Sequence, residues 1–242
     1  MDVDDIEFEL LETILYDPPL DKHFSRIIKS AEYFYQNSKS KIFENCRNSE
    51  FLKRVEIELQ QSVERLGKDV KQRVRLTITK NDVIKVTNSI SSTPSQEPLK
   101  IILDKECTSS TNMFLYHKTT HRKVYEDARI RMNLKLLPGS KNENNDIFDV
   151  LMYNENNEIT ECSISNIAVE FYDQDKKKMI WKTPNIECGL LPGTMRSYLI
   201  SLGKIICDKI TIDELKIAQQ EGRKIKCFNS VRKEYEVILV NQ

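Results

Sequence analysis

The sequence predicts a mixed α+β chain, long enough for one large domain or two smaller ones, with a boundary candidate that would part it into two α/β lobes, a smaller one over residues 1–107 and a larger one over residues 108–242. Three observations predict it. Two early stretches repeat apolar residues at helical spacing, the chain from about residue 73 onward alternates polar and β-branched residues as strands do, and a polar break at Glu106–Asn112 separates two differently textured halves.

The elements follow in order. Residues 6–18, IEFELLETILYDP, are apolar and acidic by turns and end at Pro18-Pro19. A helix is expected from about Asp21 to Tyr35, with Phe24, Ile27, Ile28, Ala31 and Phe34 on one face and Asp21 placed to cap it. A second is expected over Ser49–Leu66, its apolar positions Phe51, Leu52, Val55, Leu59, Val63 and Leu66, closed by Gly67. Arg73–Thr79 and Val83–Thr87 alternate around the turn signal Asn81-Asp82 and read as two antiparallel strands. Asn88–Pro98 is a long surface loop, because Leu99–Leu103 at once resumes a strand.

In the second lobe a helix with mixed charge on its outer side is expected from about Thr119, then a polar loop at Leu136–Asp146. Strands follow at Ile147–Tyr153, through Ile167–Tyr172 and at Met179–Trp181, with a turn at Asn154–Asn157. A helix is expected over Gly193–Asp208 and a closing strand at Val237–Val240.

Lys plus Arg and Asp plus Glu both number 37, so the formal net charge is zero, which removes the basic signature of a dedicated nucleic-acid binder. The acidic start lacks the positive segment and apolar run of a secretory signal, and no apolar stretch has the length of a membrane-spanning helix. The six cysteines stand at irregular spacings with no CxxC pair, so neither a zinc ribbon nor another metal site is expected. They read as reduced, structural thiols of a cytoplasmic protein.

Three clusters could carry chemistry. Lys118 sits in LYHKTTHR, where His121 and Arg122 could supply the cation that lowers a lysine's pKa and makes it a nucleophile, although a solvated lysine is the ordinary alternative. Glu161 falls inside ITECSISNI, where a carboxylate among apolar and small residues needs a partner to offset its desolvation; a plain turn is the alternative. In CGLLPGTMR, Pro192-Gly193 leads into a helix, whose first amides at Gly193, Thr194 and Met195 would make a phosphate seat, with the Thr194 hydroxyl in reach; an ordinary helix start after Pro-Gly is the alternative.

In this order the HKTTxR, TExSxSN and GLLPGxxR strings resemble the class IV aminotransferases, the pyridoxal-phosphate enzymes of fold type IV. With FELLETILYDP, HFSRIIKSAEYF and CFNSVRKEYEVILV they are most similar to the 4-amino-4-deoxychorismate lyases of that family, over nearly the whole chain except about Asn37–Leu66. The resemblance implies a cofactor, pyridoxal 5'-phosphate, between the two lobes. Lys118 would be its Schiff-base lysine and Glu161 the partner of its pyridine nitrogen. Arg26 would bind the phosphate, with the amides at Ser165-Asn166 and Gly193-Thr194 completing the cup. Thr13 and Ser230 would face the substrate, and Arg122 and Arg232 are candidate anchors for its carboxylates. A tyrosine that some transaminating relatives place five residues after the lysine is here Lys123, and Tyr125 reads as packing.

The activity so implied is release of 4-aminobenzoate and pyruvate from the small-molecule substrate aminodeoxychorismate, for folate synthesis, by a homodimer paired with an aminodeoxychorismate synthase. A branched-chain or D-amino-acid transaminase of the same fold would share the cofactor residues, and a binding protein without catalysis would keep the fold alone. Neither a nucleic-acid partner nor a membrane is expected.

Overall fold

Strand β1 (Leu10–Leu15) opens the chain's regular structure, where the apolar-acidic run is strand rather than helix. Helices α1 (Asp21–Asn37) and α2 (Ser49–Leu66) follow, then β2 (Gln72–Ile78) and β3 (Ile84–Ile90). In this computed structural model residues 2–17, 20–67, 69–91, 98–136 and 146–240 are described. Pro18-Pro19, most of the Asn88–Pro98 loop and most of Leu136–Asp146 lie outside them.

The later elements are β4 (Leu99–Leu103), α3 (Lys123–Arg131), β5 (Ile147–Tyr153), β6 (Ile159–Cys162), β7 (Asn166–Asp173) and β8 (Lys178–Pro184). Then come α4 (Thr194–Ser201), β9 (Ile206–Asp208), α5 (Ile212–Gln220), β10 (Ile225–Asn229) and β11 (Lys233–Val240). The chain forms two compact units, residues 1–93 with 117–121, and residues 94–116 with 122–242, so the path changes unit three times.

The first unit is an antiparallel sheet in the order β1-β2-β3 with α1 and α2. Phe8, Phe34 and Phe43 form an aromatic cluster, Phe8 lying 4.7 Å from Phe34 and 5.7 Å from Phe43 between ring centres. Helix α1 is rotated from the expected face. Its buried stripe is His23, Arg26, Ile27, Ser30, Ala31 and Phe34, while Phe24 and Ile28 are half-buried, because polar groups are received by partners described below. Asp21 does not cap it; Leu20 holds the N-cap and Asp21 is the first helical residue.

The second unit is built on an eight-stranded sheet, order β6-β5-β4-β11-β10-β7-β8-β9. Neighbours are antiparallel except β5 with β4, β4 with β11, and β8 with β9. Side chains alternate across it. Ile101, Val169, Cys227 and Leu239 pack with Leu215 and Ala218 of α5, whereas Ile102, Val150 and Met152 pack with Tyr125 and Ala128 of α3, and Ala168 and Phe228 with Leu199 of α4.

Two helices depart from the sequence reading. α3 starts at Lys123, not near Thr119, because residues 118–120 spend their backbone groups on the edge of β1. α4 stops at Ser201, far short of Asp208, where Gly203 takes a left-handed φ of 65° and the N–H groups of Gly203 and Lys204 donate back to the Ile200 and Leu199 carbonyls. The released chain becomes β9, beside β8. α5 and β10 extend the expected set; α5 is closed at its start by a capping box between Thr211 and Glu214. All six cysteines are free, and no helix among the described residues is long and apolar enough to cross a membrane.

Candidate active site

In the second unit, β6 and β7 are joined by a tight turn in which Cys162 and Ser165 exchange backbone hydrogen bonds, Cys162 N–H to Ser165 O at 2.8 Å and the reverse at 3.3 Å. Short side chains suit such a turn. It is held from several sides. The Ser163 N–H donates to Val150 O at 3.0 Å, Ile164 N–H to Asp149 Oδ2 at 3.3 Å, and Asn229 Nδ2 to Ile164 O at 3.1 Å. Arg129 Nη1 lies 3.0 Å from both Asp149 Oδ1 and Ser163 Oγ, and Ser163 Oγ donates to Asp149 Oδ1. Burial pushes the Asp149 carboxyl up and the Arg129 guanidinium down, and their pairing opposes both shifts.

Glu161, ahead of this turn, is 3% exposed. Oε1 accepts from the Tyr125 hydroxyl at 2.8 Å and from the Leu191 N–H at 2.9 Å, and Oε2 accepts from Asn166 Nδ2 at 3.0 Å. These donors supply what a desolvated carboxylate requires. Asn166 Nδ2 also reaches Leu191 O at 2.9 Å, so the amide clips Glu161 to the loop that leads into α4. At that helix Gly193 is the N-cap without a side-chain cap, and Thr194 opens the first turn, whose N–H groups have no acceptor within the helix. The Ser165 and Gly193 N–H groups are themselves engaged, with Cys162 O and Leu191 O. Carboxylate, amide side chain and helix N-terminus thus converge in one unit.

Arg122 turns to this same unit. Its Nη2 donates to Ser163 O at 2.6 Å and its guanidinium stands 4.7 Å from the centre of the Tyr125 ring. Ser230 and Arg232 lie on the β10–β11 turn, where Asn229 Oδ1 accepts from the Val231 and Arg232 N–H groups, and the Arg232 guanidinium covers the Phe148 ring at 4.8 Å. Lys123 is on the surface, paired with Asp127 at 2.8 Å.

The first unit holds Lys118, Arg26 and Thr13. Lys118 lies in an irregular segment fixed to β1: Leu11 N–H donates to Lys118 O, Thr120 N–H to Glu9 O, and Glu9 N–H to Thr120 Oγ1, each at 2.9 Å. His117 stacks on Tyr33 at 4.3 Å with Nδ1 3.1 Å from Ser30 Oγ, and burial takes its pKa down to about 4. On β1 the buried Glu12 receives Arg26 through Nε at 2.7 Å and Nη2 at 2.6 Å, and His23 Nδ1 at 2.7 Å. Burial alone would raise the Glu12 carboxyl, but Arg26 and His23 outweigh it and hold it at about 2. Thr13, next along the strand, is half-buried.

Four roles were not read from the sequence: those of Glu12, Tyr125 and the Arg129–Asp149 pair, and that of the Asn166 side chain. Glu12 offered a signal, since a carboxylate within LLETIL poses the same desolvation problem as Glu161.

The class IV amino-transferase family profile matches residues 10–237. A Schizosaccharomyces pombe protein provisionally named an aminodeoxychorismate lyase is 30% identical over 98% of this chain and 91% of its own. The Saccharomyces cerevisiae aminodeoxychorismate lyase is 34% identical over 50% of this chain and 32% of its own. The solved fold IV-transaminase of Curtobacterium pusillum superposes with a TM-score of 0.68, at 15% identity, over 96% of this chain and 79% of that one. A profile that runs from β1 into β11, and a relative alike from end to end, leave one conclusion: the chain belongs to the class IV aminotransferase family.

Proposed function

We propose that this protein is an aminodeoxychorismate lyase that uses pyridoxal 5'-phosphate and releases 4-aminobenzoate and pyruvate. The observation that carries the reading is the convergence of the buried Glu161, held by Tyr125, Asn166 and Leu191, with the N-terminus of α4, in a chain whose relative over 98% of its length bears that name.

The donor sets fit the cofactor. Glu161, ionised, suits a protonated pyridine nitrogen. The Thr194 and Met195 amides and the Thr194 hydroxyl at the start of α4 suit a phosphate. Lys118 offers a primary amine for the aldehyde on a backbone fixed to β1, and Arg26, oriented by Glu12, adds a cation for the phosphate. When bound, the cofactor supplies an electron-withdrawing ring that accepts charge from substrate C4. Lys118 Nζ takes the C4 proton as general base. The enolpyruvyl oxygen then leaves C3 with its bonding pair, the ring becomes aromatic, and the enolpyruvate takes a proton on carbon to become pyruvate. Arg122 and Arg232 orient the substrate carboxylates, and Thr13 and Ser230 offer hydroxyls to the substrate. A cytoplasmic homodimer fed by an aminodeoxychorismate synthase completes the proposal.

Adding pyridoxal 5'-phosphate to the purified protein is expected to give an absorbance band near the visible edge that borohydride removes and that Lys118→Ala lacks. A wild-type protein without such a band contradicts the cofactor assignment.

A further inference from the structure

Tyr125, which the sequence reads as packing, lies three residues beyond the HKTTxR string, and its side chain ends on the most demanding group of the site. Its ring packs in the core under α3 with Ala128, Val150 and Met152, which fixes the phenol's direction, and its hydroxyl donates to Glu161 Oε1 at 2.8 Å. The phenol is buried, and burial together with the Glu161 charge pushes its pKa far above the usual value, so it stays a donor at every working pH. Above the ring, 4.7 Å from its centre, stands Arg122, which draws electron density from the ring and strengthens the O–H donor. Arg122 is in turn fixed by its 2.6 Å bond to Ser163 O.

We infer that Tyr125 is a positioning residue for Glu161: its hydroxyl holds the carboxylate ionised and in one orientation, and so sets how strongly Glu161 competes for a proton. The physical basis is that a hydrogen bond to the charged form of a buried acid favours that form. The Leu191 N–H, fixed by the main chain, and the Asn166 amide, shared with Leu191 O, also donate to the carboxylate; the Tyr125 hydroxyl is the donor that comes from α3.

Other charged or titratable groups face this region: Arg122 ahead of α3, Arg129 on α3, Asp149 on β5, and the Cys162 and Cys227 thiols, 3.6 Å apart on β6 and β10. Cys162 is pushed well above its usual pKa by burial and by Cys227, Asp149 and Glu161, so it stays neutral while Glu161 titrates. Arg129 and Asp149 are spent on each other, which leaves Tyr125 as the adjustable influence from α3.

That Glu161 serves a bound cofactor rests on the proposed function; that Tyr125 controls Glu161 is tested without any cofactor. In protein labelled with 13C at the glutamate side-chain carboxyls, the Glu161 resonance is identified by its loss in Glu161→Gln and titrated in the cofactor-free full chain. Tyr125→Phe is expected to raise the titration midpoint by about one pH unit, a tenfold tighter hold on the proton. Tyr125→3-fluorotyrosine keeps the shape and sharpens the donor, and is expected to lower it. Pyridoxal 5'-phosphate binding followed by absorbance then separates the two claims. If the proposed function holds, the acidic limb of the wild-type binding curve moves with the Glu161 midpoint in both variants. Midpoints that move while no variant, nor the wild type, binds the cofactor would sink the proposed function and leave the role of Tyr125 standing. Midpoints unchanged in both variants overturn the inference; a uniform fall in binding at all pH values with an unmoved midpoint is the mark of a merely structural residue.

Discussion

A Cβ added at Gly193 would lie 2.0 Å from Asn166 Oδ1, closer than atoms can approach. Gly193 has a φ of −63°, which any residue adopts, so contact and not backbone freedom requires glycine there. The neighbour that must yield is the amide that holds Glu161 Oε2 and Leu191 O. The helix N-terminus and the carboxylate are therefore coupled through one side chain.

Gly193→Ala is expected to lower affinity for pyridoxal 5'-phosphate by on the order of tenfold, by turning Asn166 away, and to cost about 1–3 kcal/mol of stability from overpacking. Gly203→Ala is the control. Nothing lies within 4 Å of its added Cβ, but its φ of 65° is unfavourable for alanine. It should cost about 1 kcal/mol and leave cofactor binding unchanged. Absorbance titration and thermal melting of both variants check this pair.

Glu12 sits under Arg26 and His23 in the first unit, 1% exposed. Glu12→Gln removes the charge that Arg26 needs and is expected to destabilise the fold by about 3 kcal/mol or more. The carboxyl is held at about 2, below its ordinary 4.5. Its stabilising contribution is thus complete above about pH 4.5 and is lost as pH falls toward 2. Chemical denaturation of wild type between those values should show that loss, and Glu12→Gln should flatten it.

His117 gives a separate acid limb. Its folded pKa is about 4 against an ordinary 6.5, so the unfolded chain binds its proton first. Stability from this residue is complete above pH 6.5 and declines as pH falls from 6.5 to 4. Replacement by Asn should remove the slope in that window and leave the lower, Glu12 limb in place. A slope unchanged in His117→Asn would assign it to another group.

Much of this was legible in the residues. The α2 boundaries follow from apolar spacing and Gly67, and β4 and β5 from short apolar runs. What escaped was where tertiary partners override local pattern. The burial of His23, Arg26 and Ser30 depends on Glu12 and His117, which lie elsewhere in the chain, so the helix face drawn from apolar residues alone was rotated. Residues 119–122 look helical, yet β1 claims the backbone just ahead of α3. Gly203 and the Thr211-x-x-Glu214 box were readable stop and start signals, whereas the bond from Tyr125 to Glu161 spans 36 residues and left no local trace.

Aminodeoxychorismate supplied to the pyridoxal-phosphate-loaded protein, with both products measured beside an amino-transfer control with a 2-oxo acid, separates a lyase from a transaminase. A lyase that works through Lys118 gives 4-aminobenzoate and pyruvate in equal amounts, no amino transfer, and a rate lower by on the order of a thousandfold or more in Lys118→Ala. Amino transfer without pyruvate release, or 4-aminobenzoate formed equally well by Lys118→Ala, would contradict that assignment.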